Sequence, residues 1–289
     1  MREVGYYNGR IDELTKLQCP ITDRAVYFGD GCYDAAFIRN RVIFALEDHM
    51  ERFYNGCRLL RIHFPYSRQE LKEILYSLVA AFDEEEGMLY WQTSRGSSVR
   101  NHVFPGEEVK ANLMAYLVPG KIAEKEKTFR CITAADTRFG HCNIKTLNLI
   151  PNVMASQRAK EAGCDEAIFY KDGKVTEMAH SNVSFLIDGT LVHHPFDEKI
   201  LPGISLKHLI HVARKLGIPV CEKEISVAEA MNADELINTS SGTICNRICQ
   251  VDHIHVGGKA DSLFRTLQDG VYEEFMEYTE GSEGCRASL

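Results

Sequence analysis

The stretch His141-Cys142-Asn143-Ile144-Lys145-Thr146-Leu147-Asn148 sets a single lysine among short apolar and small residues, just ahead of a segment with helical character. Burial disfavours the charged form of an amine, so a lysine held inside a site loses its proton more readily, and the neutral amine condenses with an aldehyde. That is Schiff-base chemistry. The octapeptide reads equally as a strand closed at the surface by a lysine, and its surroundings have to decide.

On the C-terminal side, Ile150 to Gly163 has the pattern of a helix ending at its glycine. Residues 166–170, 174–176 and 183–187 read as strands of a meander around turns at Asp172-Gly173 and Asp188-Gly189. Glu177 ends the middle strand; a lone glutamate there is ordinary. Leu201-Pro202-Gly203-Ile204-Ser205 leads into a helix patterned Leu206, Leu209, Ile210, Ala213, Leu216 and closed by Gly217. Such a start presents free backbone N–H groups and the positive dipole end, which suits a phosphate and suits a plain helix cap as well. A second turn of small polar residues, Asn238 to Thr243, follows the strand Glu235-Leu236-Ile237, and two such turns strengthen the phosphate reading.

On the N-terminal side, Cys131 to Asp136 reads as a strand, and Pro119-Gly120 with the polar run after it reads as a linker between two domains. Residues 88–95 and 111–118 are strands flanking a loop with Arg95, Arg100 and His102, which can receive an anion or lie solvated. Ser67 to Phe82 and Glu47 to Ile62 are amphipathic helices, with Ser67 as N-cap of the first and Arg52 beside the apolar stripe of the second. Residues 4–8 and 42–46 read as strands. Between them Gly29-Asp30-Gly31 is a turn signal, and Tyr33, Ala35 and Phe37 alternate with Asp34, Ala36 and Ile38 as in a strand. Tyr33 opens that strand, its phenol aimed into a cleft or simply half-buried.

The chain has 289 residues, 45% hydrophobic and 26% charged, values of a globular protein long enough for two domains. A net charge of -8 argues against nucleic acid or an anionic membrane as partner. No apolar run reaches the roughly 18 residues of a membrane span and the first residues lack a signal-peptide core, so a cytoplasmic protein with reduced thiols is expected. Cys245 and Cys249, His193-His194 and His253/His255 lack a second close ligand pair, so no metal site is expected. The tail Glu280 to Leu289 is expected to fray.

These residues, in this order, resemble the fold-type IV, pyridoxal-phosphate-dependent aminotransferases, and the D-amino-acid (D-alanine) branch more than the branched-chain one. The resemblance runs from about residue 4 to about residue 276. It is carried by Asp23-Arg24, Phe28-Gly29-Asp30-Gly31 with Tyr33, His49-Met50-Glu51-Arg52, Arg95-Gly96 with Arg100 and His102, and Ile144-Lys145-Thr146-Leu147-Asn148. It continues through Thr176-Glu177, Ser181-Asn182-Val183, Leu201-Pro202-Gly203-Ile204 and Asp234-Glu235-Leu236.

The resemblance implies an α+β fold of two domains. Residues 1–120 would form a small N-terminal α/β domain with a carboxylate-binding loop, and residues 121–289 a larger pseudo-barrel domain carrying the Schiff-base lysine. It implies pyridoxal 5'-phosphate as cofactor, bonded by Lys145, which also shuttles the proton. Glu177 would face the ring nitrogen, Leu201 would pack on the ring, and Arg52, Ile204, Ser205, Ser240 and Ser241 would hold the phosphate. Tyr33, Arg100 and His102 would trap the substrate carboxylate, the last two reaching in from the partner of a homodimer. The implied activity is transamination between a D-amino acid and a 2-oxo acid; a branched-chain L-aminotransferase, an aminodeoxychorismate lyase and a non-catalytic cofactor carrier are the alternatives. Departures are Met178-Ala179-His180, where the D-specific enzymes are small and serine-rich, and Ser205 and Gly242, where threonines are usual.

Overall fold

Alternation writes the first sheet. In β5 (Gly87–Ser94) Leu89, Trp91 and Thr93 are fully buried while Met88, Tyr90 and Gln92 are half-exposed, and in β6 (Asn112–Pro119) Leu113, Ala115 and Leu117 repeat the pattern. The antiparallel register pairs Leu89 with Leu117, Trp91 with Ala115 and Thr93 with Leu113, so one face is continuous and apolar. The structure, a computed structural model, describes residues 1–280; the expected frayed tail lies, from residue 281, outside the described residues.

The chain clusters into two compact units. The first comprises residues 1–121, Ile144–Asn148 and the segment from Glu277. Its other strands are β1 (Val4–Tyr7), β2 (Arg10–Glu13), β3 (Gly31–Arg39) and β4 (Val42–Ile43), giving an all-antiparallel sheet in the order β2-β1-β6-β5-β3-β4. A short helix α1 (Arg24–Phe28) precedes β3. Two longer helices, α2 (Leu46–Leu59) and α3 (Arg68–Ala81), set Met50, Phe53, Cys57, Leu71, Leu75 and Leu78 into one core with Leu89 and Trp91. Burying each large side chain of this kind contributes about 1.5–3 kcal/mol. Ser67 caps α3 as expected, accepting from Glu70 N–H while Glu70 accepts from Ser67 N–H.

Two sequence expectations change here. Residues 42–46 are not one strand: Asn40 and Arg41, both with positive φ, turn the chain into β4, and Ala45 at φ 48° ends it and starts α2. The apolar run is buried because it joins a strand to a helix, not because it is extended. Gly31 is also more than a turn signal, since a Cβ there would stand 2.1 Å from the Thr93 carbonyl oxygen.

The second unit comprises Ile122–Asn143 and Leu149–Met276. Its strands are β7 (Phe129–Ala135), β8 (Glu166–Lys171), β9 (Lys174–Met178), β10 (Asn182–Ile187), β11 (Thr190–His193), β12 (Val220–Glu222), β13 (Glu235–Thr239), β14 (Asn246–Val251) and β15 (Ile254–His255). Its helices are α4 (Ile150–Glu161), α5 (Ile204–Lys215), α6 (Val227–Asn232) and α7 (Asp261–Glu280), the last running on into the first unit's segment. The strands form one curled half-barrel sheet in the order β12-β11-β10-β13-β14-β7-β8-β9, with β15 on β14; β7 pairs in parallel with β8 and β14, and β11 with β12.

The expected meander is two separate hairpins. Asp172-Gly173 and Asp188-Gly189 all take positive φ, as two-residue hairpin turns require, but β9 and β10 are not hydrogen-bonded neighbours. Helix α4 contributes Ala155 and Ala159, with Phe169 of β8, to a small core of its own.

Candidate active site

The implied site residues divide between the two units. In the first unit Lys145 is half-buried rather than enclosed. Its segment belongs to this unit, not to the C-terminal domain in which the sequence placed it. Tyr33 N–H donates to the Lys145 carbonyl at 2.9 Å, and Cys32 bridges to Thr146, so the octapeptide lies against the start of β3. Lys145 Nζ stands 4.4 Å from the centre of the Tyr33 ring, and Tyr33, Tyr90 and Tyr116 stack in series at 5.2 and 4.9 Å. An aromatic face attracts an ammonium through its quadrupole and orients it.

Behind Tyr33, Asp34 is fully buried and takes both Arg52 Nε (2.9 Å) and Nη2 (2.6 Å), with His49 Nδ1 at 2.8 Å. Burial alone would raise the Asp34 carboxyl, but the Arg52 charge and His49 outweigh it and hold the group well below the usual carboxylate range. His49 is itself pushed below its ordinary value by burial, against the pull of Asp34. A two-pronged carboxylate therefore fixes the Arg52 guanidinium on its helix.

The loop after β5 departs from expectation at Arg95. Arg95 is buried and forks onto Asp30 at 2.9–3.2 Å, also donating to the carbonyls of Leu60 and Arg61, so it is bracing and not an anion receptor. Arg24 shares Asp30 at 2.7 Å and reaches the Asn101 carbonyl, also at 2.7 Å. Arg100 and His102 are exposed, and both lie on the Phe28 ring, at 4.9 and 5.0 Å. The loop's tip is thus held from beneath while its cation and imidazole stand at the surface.

In the second unit Glu177 is buried on β9. One of its oxygens accepts from Arg138; the other accepts from Asn182 Nδ2 at 2.9 Å and from Leu201 N–H at 3.1 Å. Arg138 also clasps Asp136 at 2.6 and 2.9 Å and donates to the Lys199 carbonyl at 2.9 Å, while Thr176 donates to Asp136. Asp136 is held below its ordinary range: burial raises it, and Arg138 more than offsets that. One guanidinium thus lies between two buried carboxylates, Asp136 and Glu177.

Helix α5 starts at Gly203 without a side-chain cap, with Ile204 and Ser205 buried in its first turn, so its leading N–H groups keep their capacity for an anion. A Cβ at Gly203 would stand 1.9 Å from Asn182 Oδ1, so any larger residue would displace the amide that donates to Glu177. Ser240 shapes the second small-residue turn, accepting from Thr243 N–H at 3.2 Å, with Ser241 half-buried beside it. Met178 is buried at the end of β9. His180 is exposed, its Nδ1 at 2.9 Å from the buried Glu166 carboxylate. Sequence reading assigned nothing to Asp34, Asp136 or Arg138; the spacing Asp136-Thr137-Arg138 beside a strand end was the available signal.

The class IV amino-transferase family model matches residues 31–251, from the start of β3 to the end of β14. The chain belongs to the class IV aminotransferases. This class IV chain is 34% identical over 276 residues to a D-alanine aminotransferase of Bacillus licheniformis, covering 94% of this chain and 97% of that one. It is 32% identical over 278 residues to one of Staphylococcus haemolyticus, covering 95% and 97%. Among solved structures it superposes on the branched-chain aminotransferase of Escherichia coli with a TM-score of 0.87, covering 98% of each chain at 21% identity. The branched-chain aminotransferase of the archaeon Thermoproteus uzoniensis, solved with norvaline, gives 0.84, covering 96% and 97% at 22% identity. Likeness at such identity shows the fold alone. Among the described residues no helix is long and apolar enough to cross a membrane.

Proposed function

We propose that this class IV aminotransferase moves an amino group between a D-amino acid, such as D-alanine or D-glutamate, and a 2-oxo acid, with pyridoxal 5'-phosphate as cofactor. The observation that carries the reading is the setting of Glu177: a buried carboxylate, fixed in place by Arg138, Asn182 and the Leu201 N–H, whose charge suits a cation. A protonated pyridine nitrogen is such a cation. The residues therefore fit the cofactor, which supplies an aldehyde for amines and a ring that draws electrons from the substrate carbon.

Lys145 supplies the amine that bonds the cofactor and moves the proton at its Nζ. Leu201 packs on the ring. The uncapped start of α5 at Ile204-Ser205, Arg52 fixed by Asp34, and the Ser240-Ser241 turn hold the phosphate. Tyr33, Arg100 and His102 bind the substrate carboxylate, and the exposure of the last two on a braced loop suits delivery to the partner of a homodimer. The D-alanine aminotransferases at 32–34% identity favour the D-specific reading over the branched-chain one, and a lone cofactor carrier would have no use for a carboxylate trap.

A panel of D- and L-amino acids with 2-oxoglutarate and pyruvate as acceptors tests this. Turnover of D-alanine with none of L-leucine is expected; the reverse would assign a branched-chain enzyme, and no turnover of either would remove transamination.

A further inference from the structure

Sequence spacing offers His194 no companion ligands, but the topology of the second unit does. Strand β11 pairs in parallel with β12, Leu191 with Val220 and His193 with Glu222, and Lys223 N–H donates to the His193 carbonyl at 2.9 Å. The two chains leave the ladder side by side, which brings Glu224 against the turn His194-Pro195-Phe196-Asp197. The ligand atoms of His194, Asp197 and Glu224 all lie within 4.8 Å of one another.

His194 Nε2 is 3.4 Å from Asp197 Oδ1, which is the edge length of a tetrahedron around an ion bonded at about 2.0–2.2 Å. His194 is only 4% exposed, and neither of its ring nitrogens has a hydrogen-bond partner among the described residues. Apart from the ion-pair contact of Nε2 with Asp197, the ring makes no hydrogen bond, and a buried polar group left so costs about 1–3 kcal/mol, which an ion taking up the Nε2 lone pair would relieve. The charge at the site is already a cation's: Lys199 Nζ lies 2.5 Å from Glu224 Oε1 and 3.9 Å from Asp197 Oδ2. The Lys199 and Glu224 side chains are 39% and 40% exposed, so the ammonium can swing away and the carboxylate can close by the ångström or so that coordination requires.

We propose that His194, Asp197 and Glu224 form a site for one divalent first-row transition ion of the Zn2+ class, in competition with the Lys199 ammonium. One imidazole and two carboxylates form a three-ligand set with a position left for water, and the imidazole favours Zn2+ or Co2+ over Mg2+, Ca2+ and Mn2+. The site sits at the head of the 194–203 loop. Further along, the Lys199 carbonyl accepts from Arg138 and the Leu201 N–H donates to Glu177. An ion there fixes the loop on which the support of Glu177 depends, and so has a structural part to play.

Co2+ is the probe, added to the holoenzyme after chelation and desalting, because thiolate ligation betrays itself by an intense charge-transfer band that nitrogen and oxygen ligands do not give. The proposal expects one equivalent bound per chain with a d–d spectrum lacking that band. It expects Zn2+ to displace the Co2+, and at a hundredfold excess over its Kd to raise Tm by about 5 °C. Glu224→Gln, on an exposed side chain, should weaken binding by at least the roughly 10–100-fold that changes around metal ligands cost, and His194→Gln likewise. Lys199→Met should tighten it by removing the competitor. Should His194→Gln fail to fold, Glu224→Gln decides. An absence of binding, a thiolate band alone, an affinity indifferent to Glu224→Gln, or one that Lys199→Met does not improve would each overturn the site.

Discussion

Replacing Arg138 by Met removes the guanidinium that lies between two buried carboxylates. The side chains of Arg138, Asp136 and Glu177 are 9%, 6% and 7% exposed, so water does little to compensate the charges left behind. Breaking a buried ion pair on one side costs about 3–5 kcal/mol. With a urea slope of about 3 kcal/mol per M, the unfolding midpoint should fall by roughly 1–1.7 M. The cost belongs to the stranded carboxylates more than to the lost attraction, so the neutral set Asp136→Asn/Arg138→Met/Glu177→Gln should recover most of it. Urea titrations followed by circular dichroism on wild type, single and triple variants give the comparison. A loss under about 1 kcal/mol for Arg138→Met, or a triple variant no more stable than the single one, would refute the account of this cluster.

Further outcomes follow from the proposed roles. Lys145→Ala should lose the yellow absorption of the cofactor-loaded protein, while Lys171→Ala, at an exposed hairpin turn, keeps it; absorbance spectra after adding pyridoxal phosphate decide. Glu177→Gln should retain cofactor yet slow single-turnover reaction with D-alanine by about a hundredfold or more, and near-normal rates would remove Glu177 from the ring nitrogen. Equal amounts of Lys145→Ala and Arg100→Ala chains refolded together should regain about a quarter of wild-type activity, since half the dimers are mixed and each has one intact site; no recovery in proven mixed dimers would place the trap within one chain. Burial holds the folded pKa of His49 below its ordinary value, so the unfolded chain takes up that proton first. The contribution to stability is full above about pH 6.5 and is lost as pH falls below it, a slope in midpoint against pH that His49→Gln should lack.

The α+β character and most elements were legible because alternation and helical periodicity survive in β5, β6, α2, α3 and α5, where one face meets a core. Short elements such as α1 and β12 were not, since five or three residues carry too little period to register. The residues implied to touch cofactor or substrate were legible as motifs. Their supports were not: Asp34 looks like one more polar strand position until Arg52 and His49, 18 and 15 residues on, close upon it. Arg95 looked like a surface cation because nothing local announces that Asp30, 65 residues earlier, draws it inside. Likewise Glu224 becomes a neighbour of His194 only through a parallel pairing that bypasses the whole of α5.

The first unit is assembled from three separate stretches of chain, and this bears on how it is made. During synthesis β3 leaves the ribosome long before the segment that lies against its start; at about 5–20 residues per second the interval between Tyr33 and Lys145 takes roughly 6–22 s. At the other end of the strand, Arg39 and Asn40 wait for Thr279, at the close of the final helix, to accept their hydrogen bonds at 3.2 and 3.3 Å, and Phe44 waits for the Tyr278 ring. A nascent chain released early, or one ending near residue 121, would carry a six-stranded sheet with its partners missing at both ends of β3. Such a fragment should associate or be degraded rather than persist, so the amino-terminal half cannot be exchanged as a module without taking residues 144–148 and the carboxyl-terminal helix with it.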